Sequence, residues 1–232
     1  MASGTVFKGF PAEGMAFLRD LKENNDREWF APRKEIYEEQ VRRPMLQLLS
    51  AVHAGMLSFA PGYVGEPKKC IYRIYRDTRF AKDKTPYKTH IAASLWSNAI
   101  GKQGGAGFYF SIAPDEIEIG GGLYAPEPQL LLAVRRHIAE DHEAFRETLT
   151  TELWGERAPR APKGFDPAHP AIDLIRHKHF ILLASPKPAL ATTSKLLPEI
   201  VRNFKAMTPF IEFLNQPLLA QAKAAEGRKA LL

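Results

Sequence analysis

The chain has 232 residues, 45% apolar and 25% charged, with a formal net charge of +6, a composition ordinary for a soluble globule and within range of one α+β domain. Its single cysteine, Cys70, excludes an internal disulfide and any multi-cysteine zinc cage. The N-terminal residues carry no apolar signal-peptide core, and no apolar run is long enough to span a bilayer, so the expected location is cytoplasmic, without membrane partners.

In chain order, residues 10–23 read as a helix opened by Pro11, with Met15, Phe17, Leu18 and Leu21 on one side. Asp26 is placed to cap a helical turn over 27–30. Pro32 opens a longer helix with an apolar stripe from Ile36 to Val52, and Pro44 is expected to kink or restart it. Residues 58–67 form a Gly- and Pro-rich loop. The hydrophobic period then changes to two over 70–80, 90–96, 107–113 and 116–120, which predicts strands. Their short connections point to an antiparallel meander, because parallel crossovers need a dozen or more residues. Gly120, Gly121 and Gly122 are read as a turn closing the last strand. Helices follow over 129–139, 142–153 and 170–178, with a short strand at 180–184 that can join the sheet. Two more helices are predicted over 193–207 and 209–215, with a tail that frays after Leu219. The charged loop 155–169 is read as a surface loop of one domain, 1–232, with its core at about 8–216. The expected fold class is α+β, a mainly antiparallel sheet of about four to six strands packed with N- and C-terminal helices.

The densest signal lies in residues 68–90, KKCIYRIYRDTRFAKDKTPYKTH. Eight Lys or Arg and two Asp give this block the net charge of the whole chain, and the rest balances. Read as a strand, it splits into two faces. Arg76 shares the apolar face with Tyr72, Ile74, Thr78 and Phe80, so its guanidinium requires a carboxylate, with Glu28, Glu116 and Glu118 as candidates. Arg73, Tyr75, Asp77 and Arg79 share the other face and form a candidate anion cradle. Lys82 and Lys84 from the next loop, and Tyr87, Lys88 and His90 from the return strand, are expected to converge on it. The alternative is a solvated sheet face paired with neighbouring acids. Cys70 reads as a small strand residue.

Gly121 and its neighbours are the candidate companion of this cradle, through backbone N–H groups aimed at an anion, although neither a GxGxxG nor a P-loop pattern is present. His169, Asp173, His177 and His179 are the best metal-ligand group by residue type. The interleaved Arg176 and Lys178 oppose a divalent ion, and no metal or cofactor is expected. Asp173 and His177 are spaced to touch on one helix, and His137 and His142 read as surface or capping residues. Tyr72, Tyr75, Tyr87, Tyr109 and Tyr124 can stack on a ring or fill the core.

Four segments resemble one family. NNDREWF (24–30), RIYRDTRFAKDKTPYKTH (73–90), GGGLYAPEP (120–128) and PKGFDPAHPAIDLIRHKHF (162–180) are similar to the conserved hypothetical proteins of domain of unknown function 2461, over about residues 10–215. The resemblance implies one compact domain and carries over no activity, cofactor or catalytic residue. The residues themselves point first to a site for a phosphate- or carboxylate-bearing small molecule. Arg73, Arg79, Lys82, Lys84 and Lys88 hold the anion, Tyr75, Tyr87 or Tyr124 flank it, and Asp77 or His90 moves a proton if chemistry occurs. A nucleic-acid-binding module on the same basic, aromatic strands is the second reading. A non-catalytic interaction protein with internal ion pairs is the third.

Overall fold

A computed structural model describes residues 7–102 and 104–229, with side chains described as far as residue 220. The fold is α+β: a four-stranded antiparallel meander packed with N-terminal helices and a long C-terminal helix. Short helical turns aside, the helices and strands are α1 (Ala12–Glu23), α2 (Arg27–Phe30), α3 (Arg43–Met56), α4 (Pro67–Cys70), β1 (Ile91–Trp96), β2 (Gly107–Ile112), β3 (Ile117–Leu123), α5 (Pro128–Glu140), α6 (His142–Glu147), α7 (Ile172–Ile175), β4 (Phe180–Ala184) and α8 (Leu196–Lys229). The strands lie in the order β1-β2-β3-β4. Among the described residues no helix is long and apolar enough to cross a membrane.

The described residues gather into two compact units that interleave along the chain. The first takes in residues up to Leu95, Tyr109–Ile119 and Ala184–Asn203. Its core includes Phe17, Leu18, Leu21, Phe30, Val41, Leu48, Leu49 and Val52, all nearly solvent-free. Asp26 caps α2 as its residue type predicts, its Oδ1 accepting from the Trp29 N–H at 2.7 Å. The kink expected at Pro44 takes the form of a π-helical turn, Tyr37–Arg42, just before α3. Proline has no N–H for the carbonyl of Gln40, four residues back. Gly14 of α1 crosses at that carbonyl, so closely that a Cβ there would lie 2.1 Å from the oxygen.

The second unit comprises Trp96–Phe108, Gly120–Leu183 and the described residues from Phe204 onward. Phe145 is fully buried, its ring 5.1 Å from Phe213 and 5.6 Å from Phe210. Asn215 is almost fully buried and serves both backbone groups of Ala106, accepting from its N–H at 2.8 Å and donating to its carbonyl at 3.0 Å. Such pairing satisfies a buried backbone just before β2.

Several expectations are corrected. Residues 70–80 form no strand. The chain leaves α4 at Cys70, makes an isolated bridge from Ile71 to Ala93 of β1, and then folds back on itself. Tyr75 bridges Tyr87, the Arg76 N–H donates to Pro86 O, and the Lys88 N–H donates to Ile74 O. Pro86 has no N–H to extend this ladder. The two-face division fails with the strand: Ile74 is buried, whereas Phe80, assigned to the apolar face, is 95% exposed. Gly120, Gly121 and Gly122 lie inside β3 rather than in a turn after it. The predicted helices at 193–207 and 209–215 are one helix, whose backbone continues past Leu219 to Lys229 with Pro209 and Pro217 inside it. Pro209 is exposed, so water reaches the carbonyl its missing N–H leaves open. The helix predicted to 153 ends at Glu147.

Candidate functional site

The site begins with the fixing of the basic arm, residues 68–90, within the first unit. Asn25 of the NNDREWF turn grips Tyr87 from both sides, its Nδ2 donating to Tyr87 O and its Oδ1 accepting from the Tyr87 N–H, both at 3.0 Å. The Tyr87 ring stacks on Phe30 with centroids 4.2 Å apart and is 5% exposed. Tyr87 is therefore an anchor and not a ligand-flanking ring. Asn25→Ala is expected to destabilise the protein by about 1–3 kcal/mol, by leaving both Tyr87 backbone groups unmet. The midpoint of denaturant unfolding measures this loss, and an unchanged midpoint would contradict the anchoring role.

The loop beyond Tyr75 is organised by its own acids. Arg76 does have its carboxylate, but from none of the three predicted glutamates. Its Nη1 reaches Asp83 Oδ2 at 2.5 Å and also bonds the Thr85 hydroxyl. The Thr85 N–H, Arg76 and the Thr85 hydroxyl together hold the Asp83 carboxyl down at about 2. Asp77 is claimed by Arg79, through Nε at 3.0 Å and Nη2 at 2.7 Å, and these bonds likewise hold it at about 2. A carboxylate so acidic is a poor general base near neutrality, and Arg79 has Asp77 as its ion-pair partner. Lys84 donates to Thr78 O at 2.9 Å.

Arg73, Lys82 and Lys88 remain without an ion pair among the described residues. Lys88 is half-buried, its Nζ 4.9 Å from the centre of the Tyr72 ring. Burial, and then the nearby Arg73 cation, push its pKa down. The Tyr72 hydroxyl accepts from Ser94 Oγ of β1 at 3.1 Å, and its ring lies 6.4 Å from Tyr109 of β2. Beyond Tyr109, Ser111 Oγ donates to Glu118 of β3 at 3.1 Å. Burial and Lys88 lower the His90 pKa, so the imidazole is neutral near pH 7. Tyr75 is half-exposed, 5.4 Å from the Tyr87 ring. The structure thus brings together Arg73, Lys88, Tyr72, Ser94 and Tyr109, with His90 beside Lys88. Sequence reading assigned no site role to Ser94, whose signal is a lone polar residue in an otherwise apolar strand.

Cys70 is buried beside a histidine that sequence reading did not connect to it, with its Sγ 3.9 Å from His53 Nε2. Gly121 and Tyr124 belong to the second unit. A Cβ on Gly121 would lie 2.9 Å from Ile211 and 3.2 Å from Met207, so its Cα face is filled by α8 rather than open to an anion. Tyr124 is 69% exposed and stacks on His179.

The remaining candidates disperse. Asp173 binds Arg146, with oxygens at 2.8 and 3.2 Å, instead of His177. His177 is buried and accepts from Arg157 Nε at 2.9 Å. His169 Nδ1 accepts from the Ala171 N–H, and its ring lies 5.8 Å from His142. His137 and His142 are half-buried, each with one solvent-free ring nitrogen that has no hydrogen-bond partner among the described residues, and His137 packs 4.3 Å from Phe213. Among the described residues no cluster of three or more His, Cys, Asp or Glu could hold a metal. A cavity of about 590 Å³ opens beside α5, lined by residues including Gln129, Arg136, His137 and Gln216, and no residue of the basic arm contributes to it.

Fold and site together define a class: an α+β meander protein with a cationic, tyrosine-bearing arm along the edge of its first strand. The family model for conserved hypothetical proteins, DUF2461, matches residues 13–213, and the chain belongs to that family. No curated protein matches the chain significantly.

Proposed function

We propose that the basic arm binds a phosphate- or carboxylate-bearing small molecule, with Arg73 and Lys88 as the principal anion ligands. One observation carries this reading. Two cations lie close enough for one to depress the other's pKa, one of them half-buried, and among the described residues no carboxylate lies within ion-pair distance of either. Burying an ammonium beside another cation is costly, and an anion between them removes that cost. Tyr72, Ser94 and Tyr109 supply neutral hydroxyls at the same edge. Lys82 adds charge from the following loop, whereas Arg79 and Lys84 serve the arm itself. If the bound molecule reacts, His90 is the base to test, because Asp77 is committed to Arg79. The reading includes a cytoplasmic setting, where Cys70 stays a thiol.

Thermal unfolding with inorganic phosphate, pyrophosphate and dicarboxylates tests the proposal, with chloride matching the ionic strength. A bound anion at a large excess over its Kd is expected to raise Tm by about 5 °C. The rise should vanish in Arg73→Ala/Lys88→Met and persist in Arg79→Ala. No rise in the wild-type protein, or a rise that survives the double substitution, rejects the site. Binding confined to oligonucleotides would transfer the arm to the nucleic-acid reading.

A further inference from the structure

We infer that the ligand of the basic arm carries a cationic amino group at the end away from its anion, and that Glu118 of β3 receives it. The inference rests on the anion reading above and supplies the other half of the ligand. It is carried by the polar face of the sheet within the first unit. Side chains alternate along a strand, so Leu95, Phe110, Ile112, Ile117 and Ile119 turn to the core, each 1% exposed or less. Ser94 of β1, Tyr109 and Ser111 of β2 and Glu118 of β3 take the other face.

Direct contacts join these residues to the arm. Lys88 Nζ lies 4.9 Å from the centre of the Tyr72 ring. The Tyr72 hydroxyl accepts from Ser94 Oγ at 3.1 Å, and its ring lies 6.4 Å from that of Tyr109. Burial raises the Tyr109 pKa, the Ser111 hydroxyl opposes that rise, and the Glu118 carboxylate adds to it, so the three groups share one neighbourhood. Ser111 Oγ donates to Glu118 Oε2 at 3.1 Å. A strip of hydroxyls therefore runs from the arm across β1 and β2 and ends on a carboxylate.

The two ends of the strip carry opposite charges that do not meet. Among the described residues Arg73 and Lys88 have no carboxylate within ion-pair distance, and Glu118 has no cation within it. Glu118 Oε1 has no hydrogen-bond partner among them either. Lys88, Tyr109 and Glu118 are all half-buried. A fully solvated face needs no counter-charge, but half-buried charges are stabilised by one, and an ammonium on a carboxylate forms a charge-assisted hydrogen bond. Two strand spacings, about 10 Å, separate β1 from β3. The amine and the anion of the ligand thus stand further apart than in an α-amino acid, on a chain whose middle lies along the hydroxyls.

Calorimetric titration with two matched pairs tests this: 6-aminohexanoate against hexanoate, and 5-aminopentyl phosphate against pentyl phosphate, at equal ionic strength. In at least one pair the amine is expected to bind about tenfold tighter, the scale of one charge-assisted hydrogen bond. Glu118→Gln should erase that preference and leave the affinity for the plain anion unchanged, which also shows that the variant is folded. Arg73→Ala/Lys88→Met should abolish binding of all four. Plain anions that bind as tightly as their amines, or a preference that survives Glu118→Gln, would overturn the inference and leave the anion reading standing. Binding by none of the four also overturns it, and the phosphate and pyrophosphate melting series then decides whether the anion reading falls with it.

Discussion

Gly122→Ala is expected to cost at least about 3 kcal/mol, enough to remove most of the stability of an ordinary domain. Gly122 sits in β3 with a φ of +138°, which an L side chain rarely adopts, and a Cβ there would lie 2.0 Å from the carbonyl oxygen of Phe180 on β4. Backbone on both sides leaves nothing free to yield. Its neighbours supply internal controls. At Gly121 the added methyl meets Ile211 Cδ1 and the Sδ and Cβ of Met207, side-chain atoms that can yield more than a backbone carbonyl can, and the cost should be smaller. At Gly120 the closest atom is Leu182 O at 3.4 Å, an ordinary contact, and alanine should be tolerated. Denaturant midpoints of the three single variants should therefore rank Gly120, Gly121, Gly122 from mildest to most severe. An equal loss at all three would indicate a general effect on β3 rather than this specific approach of two backbones.

Acid should weaken the fold well above the range in which carboxylates titrate, and His177 is expected to dominate. The residue is 1% exposed, and burial, reinforced by the Arg157 cation, pushes its pKa from 6.5 to about 4. Asp173 pulls the other way but is engaged by Arg146, and His179 adds to the depression. In the unfolded chain His177 binds its proton near pH 6.5, whereas in the folded protein it does so only near 4. Between those values the unfolded state holds more protons, so stability is full above pH 6.5 and falls as pH drops toward 4. The loss from this residue should reach about 3 kcal/mol and then level off. His53 and His90 are shifted in the same direction by burial and add to the slope. His177→Gln keeps an acceptor for Arg157 and removes the titration. Its stability should change less between pH 7 and pH 4.5 than that of the wild-type protein, and an identical pH dependence would exclude His177 as the source.

Much of the architecture was legible because it depends on local chemistry. Asp26 announces its cap by residue type and position. The alternation of β1, β2 and β3 and the apolar run at Phe180–Ala184 mark strands because those residues do line a core. The requirement that Arg76 find a carboxylate was readable from its chemistry. The identity of that partner was not, because Asp83 meets it only after the loop has closed on itself. The arm alternates like a strand, yet its even and odd positions are spent on bonds within the loop. Periodicity cannot distinguish a sheet ladder from a self-contained hairpin. Pro209 illustrates the opposite error: a proline ends a helix in isolation, but on the solvent side of a helix anchored by Phe204, Met207, Phe210 and Ile211 it does not. The Tyr124–His179–Trp154 group left the weakest trace. Its rings come from separate segments and meet through positive-φ backbone at Ala125 and Gly155 that residue identity at Ala125 does not betray.

The isolated bridges along the sheet have a bearing on solubility. An open four-stranded sheet presents two edges, and an unpaired edge is a template on which another chain can add a strand. Here β1 is met by Ile71, which pairs with Ala93, and by the Tyr72 N–H, which donates to Ala92 O. The outer side of β4 is met by Trp154, paired with Ile181. Each margin is thus guarded by a short segment rather than by a further strand. The first of these segments leads directly into Arg73, and the second carries the exposed Trp154. Substitutions that loosen either one expose a sheet edge, and at the first they alter a binding surface as well, so selection against self-association will constrain residues that recognition alone would leave free to vary.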